Sequence, residues 1–125
     1  MMACPTLLTD DRGGILTPLI RKECQRLENY LAEGGYQTAQ KALAMTPEQI
    51  IDEVTKSNLR GLGGAGFPTG RKWGFIPKDS PKPKYLVINA DESEPGTCKD
   101  RYVITGAAHA LLEGIIIAAR AINAH

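Results

Sequence analysis

The sequence predicts an α/β layer fold built around a parallel sheet, and three observations carry that expectation. Helical segments lead into a glycine-rich stretch at residues 61–70, then an apolar run of strand length, an acidic loop and a last helix. The run Tyr85-Leu86-Val87-Ile88 is apolar at every position and bounded by turn-formers, the pattern of a buried, parallel strand. The last helix, roughly residues 107–121, is apolar nearly all round, so both its sides need cover. One strand does not make a sheet; further strands are expected after His125, and the chain is expected to stop inside its domain.

In chain order, residues 1–16 read as irregular, because Asp10, Asp11, Gly13 and Gly14 carry no periodicity. A first helix is expected over residues 18–33, with Leu19, Ile20, Leu27, Tyr30 and Leu31 as its apolar stripe and Gly34-Gly35 as its stop. A short second helix covers residues 37–45. Thr46-Pro47-Glu48-Gln49 reads as a capping box with proline at the first helical position. The third helix turns Ile50, Ile51 and Val54 inward and frays near Ser57-Asn58. Residues 72–76 are expected to make one helical turn before Pro77, and Pro81 and Pro83 mark a loop. Residues 91–97 form a polar loop before the last helix.

The bulk properties exclude several classes. Fifteen basic and fourteen acidic residues in 125 leave a net charge of +1, which gives no electrostatic footprint for nucleic acid or an anionic membrane. Residues 114–119, bracketed by Glu113 and Arg120, are far too few to span a bilayer. No charged segment followed by an apolar block opens the chain, so no signal peptide is expected and the location reads as cytoplasmic. Cys4, Cys24 and Cys98 form no CxxC pair, so no metal or cluster site is expected and free thiols are.

Gly61-Leu62-Gly63-Gly64-Ala65-Gly66 fits GxGxxG formally, but the segment before it is helical, not a strand, and the dinucleotide fingerprint fails on context. Four glycines in six residues still let backbone N–H groups converge on a phosphate or an electron-rich ring edge, with Arg71 and Lys72 supplying positive charge. A glycine-rich turn packed on a helix is the alternative. Asn89-Ala90-Asp91-Glu92-Ser93-Glu94-Pro95-Gly96 follows the expected strand, where open α/β sheets bind ligands. Its acceptors suit ribityl hydroxyls, ring N–H groups or an amide; a solvated surface loop is the alternative. A ligand with a ring, a polyol and a phosphate would use both loops. Phe67, Trp73 and Phe75 could stack on a planar ring, or pack in the core.

At these residues the chain resembles a known family. The run from Asn58 through Gly61-Leu62-Gly63-Gly64-Ala65-Gly66-Phe67-Pro68-Thr69-Gly70 to Arg71-Lys72-Trp73 is similar to the flavin motif of the NADH-oxidising, FMN-binding subunit of respiratory complex I. The block from Lys84 through Asn89-Ala90-Asp91-Glu92-Ser93-Glu94-Pro95-Gly96 to Arg101 resembles the family's second motif, and the likeness covers roughly residues 28–123. The resemblance implies a Rossmann-like FMN-binding domain, present here in its N-terminal part. Residues 17–125 would be partial FMN/NADH-binding domain, without the family's ubiquitin-like domain or the helical domain that holds a [4Fe–4S] cluster.

The resemblance also implies roles. The backbone of Gly61, Gly63 and Gly64 would line FMN, Lys72 would hydrogen-bond it, and Asn89 and Asp91 would hold its polar groups. Glu94 would contact the nicotinamide end of NADH, with Phe67 and Phe75 flanking its adenine. The implied activity is hydride transfer from NADH to FMN, then single electrons to iron–sulfur centres of partner subunits and on to quinone, at the cytoplasmic face of the membrane without insertion into it. No residue need act as acid or base. Leu62 departs from the arginine usual in the family. The flavin subunit of an NAD-linked hydrogenase or formate dehydrogenase, and the Rnf-type C subunit, are alternatives; a fragment that binds a partner subunit without FMN is the non-enzymatic one.

Overall fold

The computed structural model describes residues 19–20, 22–62 and 64–124. The N-terminal stretch expected to be irregular, and Cys4, lie outside them. Six α-helices are named among the described residues: α1 (Leu27–Ala32), α2 (Gln37–Ala44), α3 (Pro47–Lys56), α4 (Thr69–Gly74), α5 (Lys99–Gly106) and α6 (Ala108–Ile122). They belong to two compact units, one of residues 1–37 and 88–113, the other of residues 38–87 and 114–125.

In the first unit the expected helix over 18–33 is interrupted: Leu19 and Ile20 are helical, and α1 begins only at Leu27. Glu23 takes a left-handed φ of 51° and Arg26, at the N-cap, is extended, so helical hydrogen bonding cannot run through. Gly34 turns left-handed and Gly35 N–H returns to Tyr30 O at 2.8 Å, closing the helix end. Gly35 also lies against the Tyr30 ring, where an added Cβ would stand 2.1 Å from ring carbon. Around Tyr30 gathers a polar cluster. The Tyr30 hydroxyl and the Tyr36 N–H (2.9 Å) both donate to the buried Glu113 carboxylate, and Tyr36 Oη bonds His109 Nδ1 at 2.8 Å. The Tyr30 and His109 rings stack with centroids 5.7 Å apart.

Helix α5 has no counterpart among the expected elements. It meets α6 at a bend of 97°, with Ala107 out of helical conformation between them. No single helix among the described residues is long and apolar enough to cross a membrane.

In the second unit α3 forms as its sequence dictates. Gln49 N–H donates to Thr46 Oγ1 (3.3 Å), Thr46 N–H donates to Gln49 Oε1 (2.9 Å), and Pro47 opens the helix. Ile50 packs with Ala42 of α2 and Ala121 of α6, joined by Met45, Ile51, Trp73 and Ile117. Gly70 on α4 is buried against α3, its missing Cβ only 2.2 Å from Thr55 Oγ1 and 2.8 Å from Thr55 N.

The expected parallel sheet does not form among the described residues. Residues 85–88 form no strand and have no bridge partner among the described residues, and Tyr85 and Val87 are 71% and 85% exposed, not buried. A strand is held by its cross-strand pairs, and no described segment offers any to this run. The isolated bridge between Arg60 and Pro68 is the one pairing of strand type among the described residues.

Candidate functional site

That bridge builds the glycine loop. Thr69 N–H donates to Leu59 O and Gly61 N–H to Phe67 O, both at 2.9 Å, so the chain leaves and returns at one place. Between these bonds Gly64 (φ 90°) and Gly66 (φ 58°) take left-handed conformations that a side chain would strain. The N–H groups of Leu62, Gly64, Ala65 and Gly66 make no hydrogen bond among the described residues, so the loop presents free donors. Arg60 steadies the loop from its base, Nη1 donating to Gly66 O at 3.3 Å. Gly63 lies outside the described residues.

Beside the loop lies a cavity of about 600 Å³, lined by Gly61, Ala65, Gly66, Phe67, Thr69 and Lys72, with Trp73 and Ile76 of the following segment and Tyr85, Leu86, Val87 and Ile122 on its other sides. The volume falls within the range of about 300–1,000 Å³ typical of small-molecule sites. Three smaller cavities among the described residues of the same unit are lined without glycine-loop residues. Of the nine expected site residues, Gly61, Phe67 and Lys72 therefore share one cavity. Gly64 sits on the loop with nothing within 4 Å of where its Cβ would be. Phe75 pairs with Phe67, ring centroids 6.0 Å apart at 49°, and Arg71 holds its guanidinium 5.8 Å over the Phe67 ring.

Two further aromatic residues line the cavity. Trp73, for which the sequence leaves core packing and stacking both open, packs against the Ile50 cluster and also faces the cavity. Tyr85, a buried strand residue by the pattern of its run, instead stands exposed at the cavity wall. The signal for Tyr85 is its aromatic ring at the start of the run that leads to the second motif.

The acidic loop belongs to the other unit. Asn89 Oδ1 accepts Asp91 N–H at 2.9 Å, and Asp91 Oδ2 accepts from Ser93 Oγ at 3.1 Å. Glu92 Oε2 accepts Arg101 N–H at 3.2 Å and so caps α5, a task that the N-cap residue Cys98 does not perform with its side chain. Glu94 accepts at its backbone oxygen from Thr97 N–H and Oγ1, which leaves its carboxylate exposed to solvent. Of the three carboxylates in four residues, Asp91 is thus bonded to a hydroxyl, Glu92 to a helix end through one oxygen while its Oε1 is buried without a partner among the described residues, and Glu94 faces solvent.

The residues present fit a ligand with phosphate and ring. Free loop donors face the phosphate requirement, Lys72 adds a cation without an ion-pair partner among the described residues, and aromatic surface lines the wall. Among the described residues no group of three or more His, Cys, Asp or Glu could hold a metal ion.

Comparison with known proteins adds independent information. The family profile of the Nuo51 FMN-binding domain matches residues 54–125. An NADH-quinone oxidoreductase subunit of Aquifex aeolicus is 59% identical over 99 residues, which is 79% of this chain and 23% of that relative. Its namesake in Streptomyces coelicolor is 55% identical over 101 residues, covering 81% of this chain and 22% of the relative. The namesake in Rickettsia bellii is 49% identical over 119 residues, covering 95% and 28%. The chain thus spans about a quarter of the length of the curated relatives it matches.

Proposed function

The chain belongs to the Nuo51 FMN-binding domain family, and from that membership we propose that it supplies part of the FMN- and NADH-binding surface of an NADH dehydrogenase of the NADH-quinone oxidoreductase type. The observation that carries the reading is the glycine loop, whose free N–H donors adjoin a cavity lined by Gly61, Phe67 and Lys72. FMN, when bound, would supply the redox chemistry, taking hydride from NADH to one-electron transfer.

The chain's own residues bind and orient. Backbone groups of Gly61, Gly63 and Gly64 hold the flavin without side-chain obstruction, and Lys72 donates a charge-assisted hydrogen bond to it. Asn89 and Asp91 take the flavin's polar groups, exchanging the local turn bonds they make with Asp91 N–H and Ser93. Glu94 offers its exposed carboxylate to the nicotinamide amide, and Phe67 and Phe75 receive the adenine. Residues 85–88 become a strand of a Rossmann-like sheet when a neighbouring strand pairs with them; their apolar side chains, exposed at Tyr85, Val87 and Ile88, and the lack of a bridge partner among the described residues support this. The relatives are named as one subunit of an NADH-quinone oxidoreductase, which supports partner subunits; that these carry iron–sulfur centres, and that the chain works peripherally at the cytoplasmic face, rests on the resemblance of its two loop motifs alone.

The test is flavin retained per protein after dialysis, in a chain of the relatives' length. Lys72→Ala should lose most of its FMN, since a hydrogen bond to a charged group contributes about 1.5–3 kcal/mol. Trp73→Phe should keep it. Equal loss in both variants would remove the special role of Lys72, and no flavin in the unmodified protein would sink the cradle itself.

A further inference from the structure

The proposed function leaves one cation of the site without a task. Arg71 stands on α4 beside Lys72, is exposed, and makes no ion pair among the described residues. It rests against an aromatic face, the guanidinium carbon lying 5.8 Å from the Phe67 centroid. Phe67 is 42% exposed and Phe75 67% exposed, so two aromatic rings and a guanidinium share one solvent-facing patch at the cavity that Phe67 lines.

We propose that Arg71 is the phosphate-binding arm of the nucleotide site, pairing with a phosphate on the adenosine ribose while the base takes its place against Phe67. This rests on the assignment of the phenylalanine pair to adenine. A guanidinium on an exposed ring is held weakly, and a base–aromatic stack is the stronger contact, so an incoming adenine displaces it. Once displaced it remains tethered within reach of the same ring. Its planar fork matches a phosphate in a bidentate manner, which the point charge of lysine does not. Two ribose positions can present that phosphate: the 5′ position, as in the diphosphate of any nicotinamide dinucleotide, or the 2′ position, as in its phosphorylated form. Arg71 is then a specificity-determining residue, and the position it prefers decides which dinucleotide the site favours.

The chain supplies its own reporter, because Trp73 is its sole tryptophan and lines the cavity. Tryptophan fluorescence is followed during titration with adenosine, adenosine 5′-monophosphate and adenosine 2′-monophosphate, using the unmodified chain, Arg71→Gln, Arg71→Lys and the charge control Lys82→Gln, at a residue that does not line the cavity. At least one monophosphate should bind about tenfold tighter than adenosine, a difference of about 1.4 kcal/mol. Arg71→Gln should reduce that monophosphate to the adenosine level, Arg71→Lys should recover part of the difference, and Lys82→Gln should leave it intact. The monophosphate that gains identifies the ribose position. If adenosine binds and the phosphates gain nothing, or if the gain survives Arg71→Gln, the role of Arg71 is overturned while the adenine site stands. If adenosine itself leaves the fluorescence unchanged, the adenine site and this proposal fall together.

Discussion

Glu113 places a carboxylate inside the most apolar helix of the chain, where the Tyr30 hydroxyl and the Tyr36 N–H reach it. Tyr36 has a left-handed φ of 65°, unusual for a bulky residue, and the bond from its N–H holds it there. Glu113→Ala should leave two donors unmatched, the buried Tyr30 hydroxyl and the part-buried Tyr36 N–H, and destabilise by about 2–4 kcal/mol, read from urea unfolding. Tyr30 gives a second test. Burial, then the bond to Glu113 and that residue's charge, push the Tyr30 phenol above its ordinary range. The folded state therefore keeps a proton that the unfolded chain releases near the ordinary value of 10.0. This contribution is whole below that pH and falls as pH rises through it. Tyr30→Phe should show a shallower alkaline loss of stability than the unmodified chain; parallel curves would mean the phenol does not titrate differently on folding. None of this cluster is legible in the sequence, where Glu113 only brackets an apolar run. Its partners lie 83 and 77 residues away, and no local pattern encodes such a distance.

Local elements are where the sequence speaks clearly. The capping box of α3 needs four consecutive residues, and both of its hydrogen bonds are present. Thr46→Ala should cost about 1 kcal/mol, measured by thermal or urea unfolding. The glycine loop is legible for a similar reason, since the bonds that close it join residues only six and ten apart in sequence. Helix α5 is not legible, because none of its residues is buried and no apolar stripe marks it, while its N-terminal cap comes from Glu92 in the preceding loop. Gly70 reads as one more glycine of the loop, yet it is the contact point of α4 with α3. Gly70→Ala must push against the Thr55 backbone, which cannot rotate away as a side chain can. A loss of about 1–3 kcal/mol is expected, typical of overpacking, and tryptophan fluorescence should change with it because Trp73 lies three residues on. An unchanged spectrum and stability would show that α4 is free to shift.

Across the whole chain, apolar surface is left uncovered. Leu43, Leu59, Leu62, Tyr85, Val87 and Leu112 are all large and exposed, Leu62 to 92%. Such surface drives association, so the isolated chain should elute above monomer size in size-exclusion chromatography with light scattering; a sharp monomer with cooperative unfolding would contradict this. The same surface explains why the α/β expectation and the helical structure differ. Apolar runs state what a segment is suited to become, and residues 85–88 are suited to a buried strand. Burial and pairing come from other segments, whose presence the run itself cannot encode. The two loop motifs, by contrast, carry their chemistry in contiguous residues and match a family whose profile covers residues 54–125.

The unpaired backbone of residues 85–88 also sets a clock. With no hydrogen bond to break among the described residues, their amide hydrogens should pass to deuterated water at the rate of an unstructured peptide, whereas Ile50, bonded to Thr46 O at 3.1 Å and buried, should hold its hydrogen far longer. A brief deuterium pulse would therefore label the run before α3. Whatever strand comes to lie beside it must slow that labelling residue by residue, in the alternation that a ladder imposes, so the time course itself would record the moment and the register of docking.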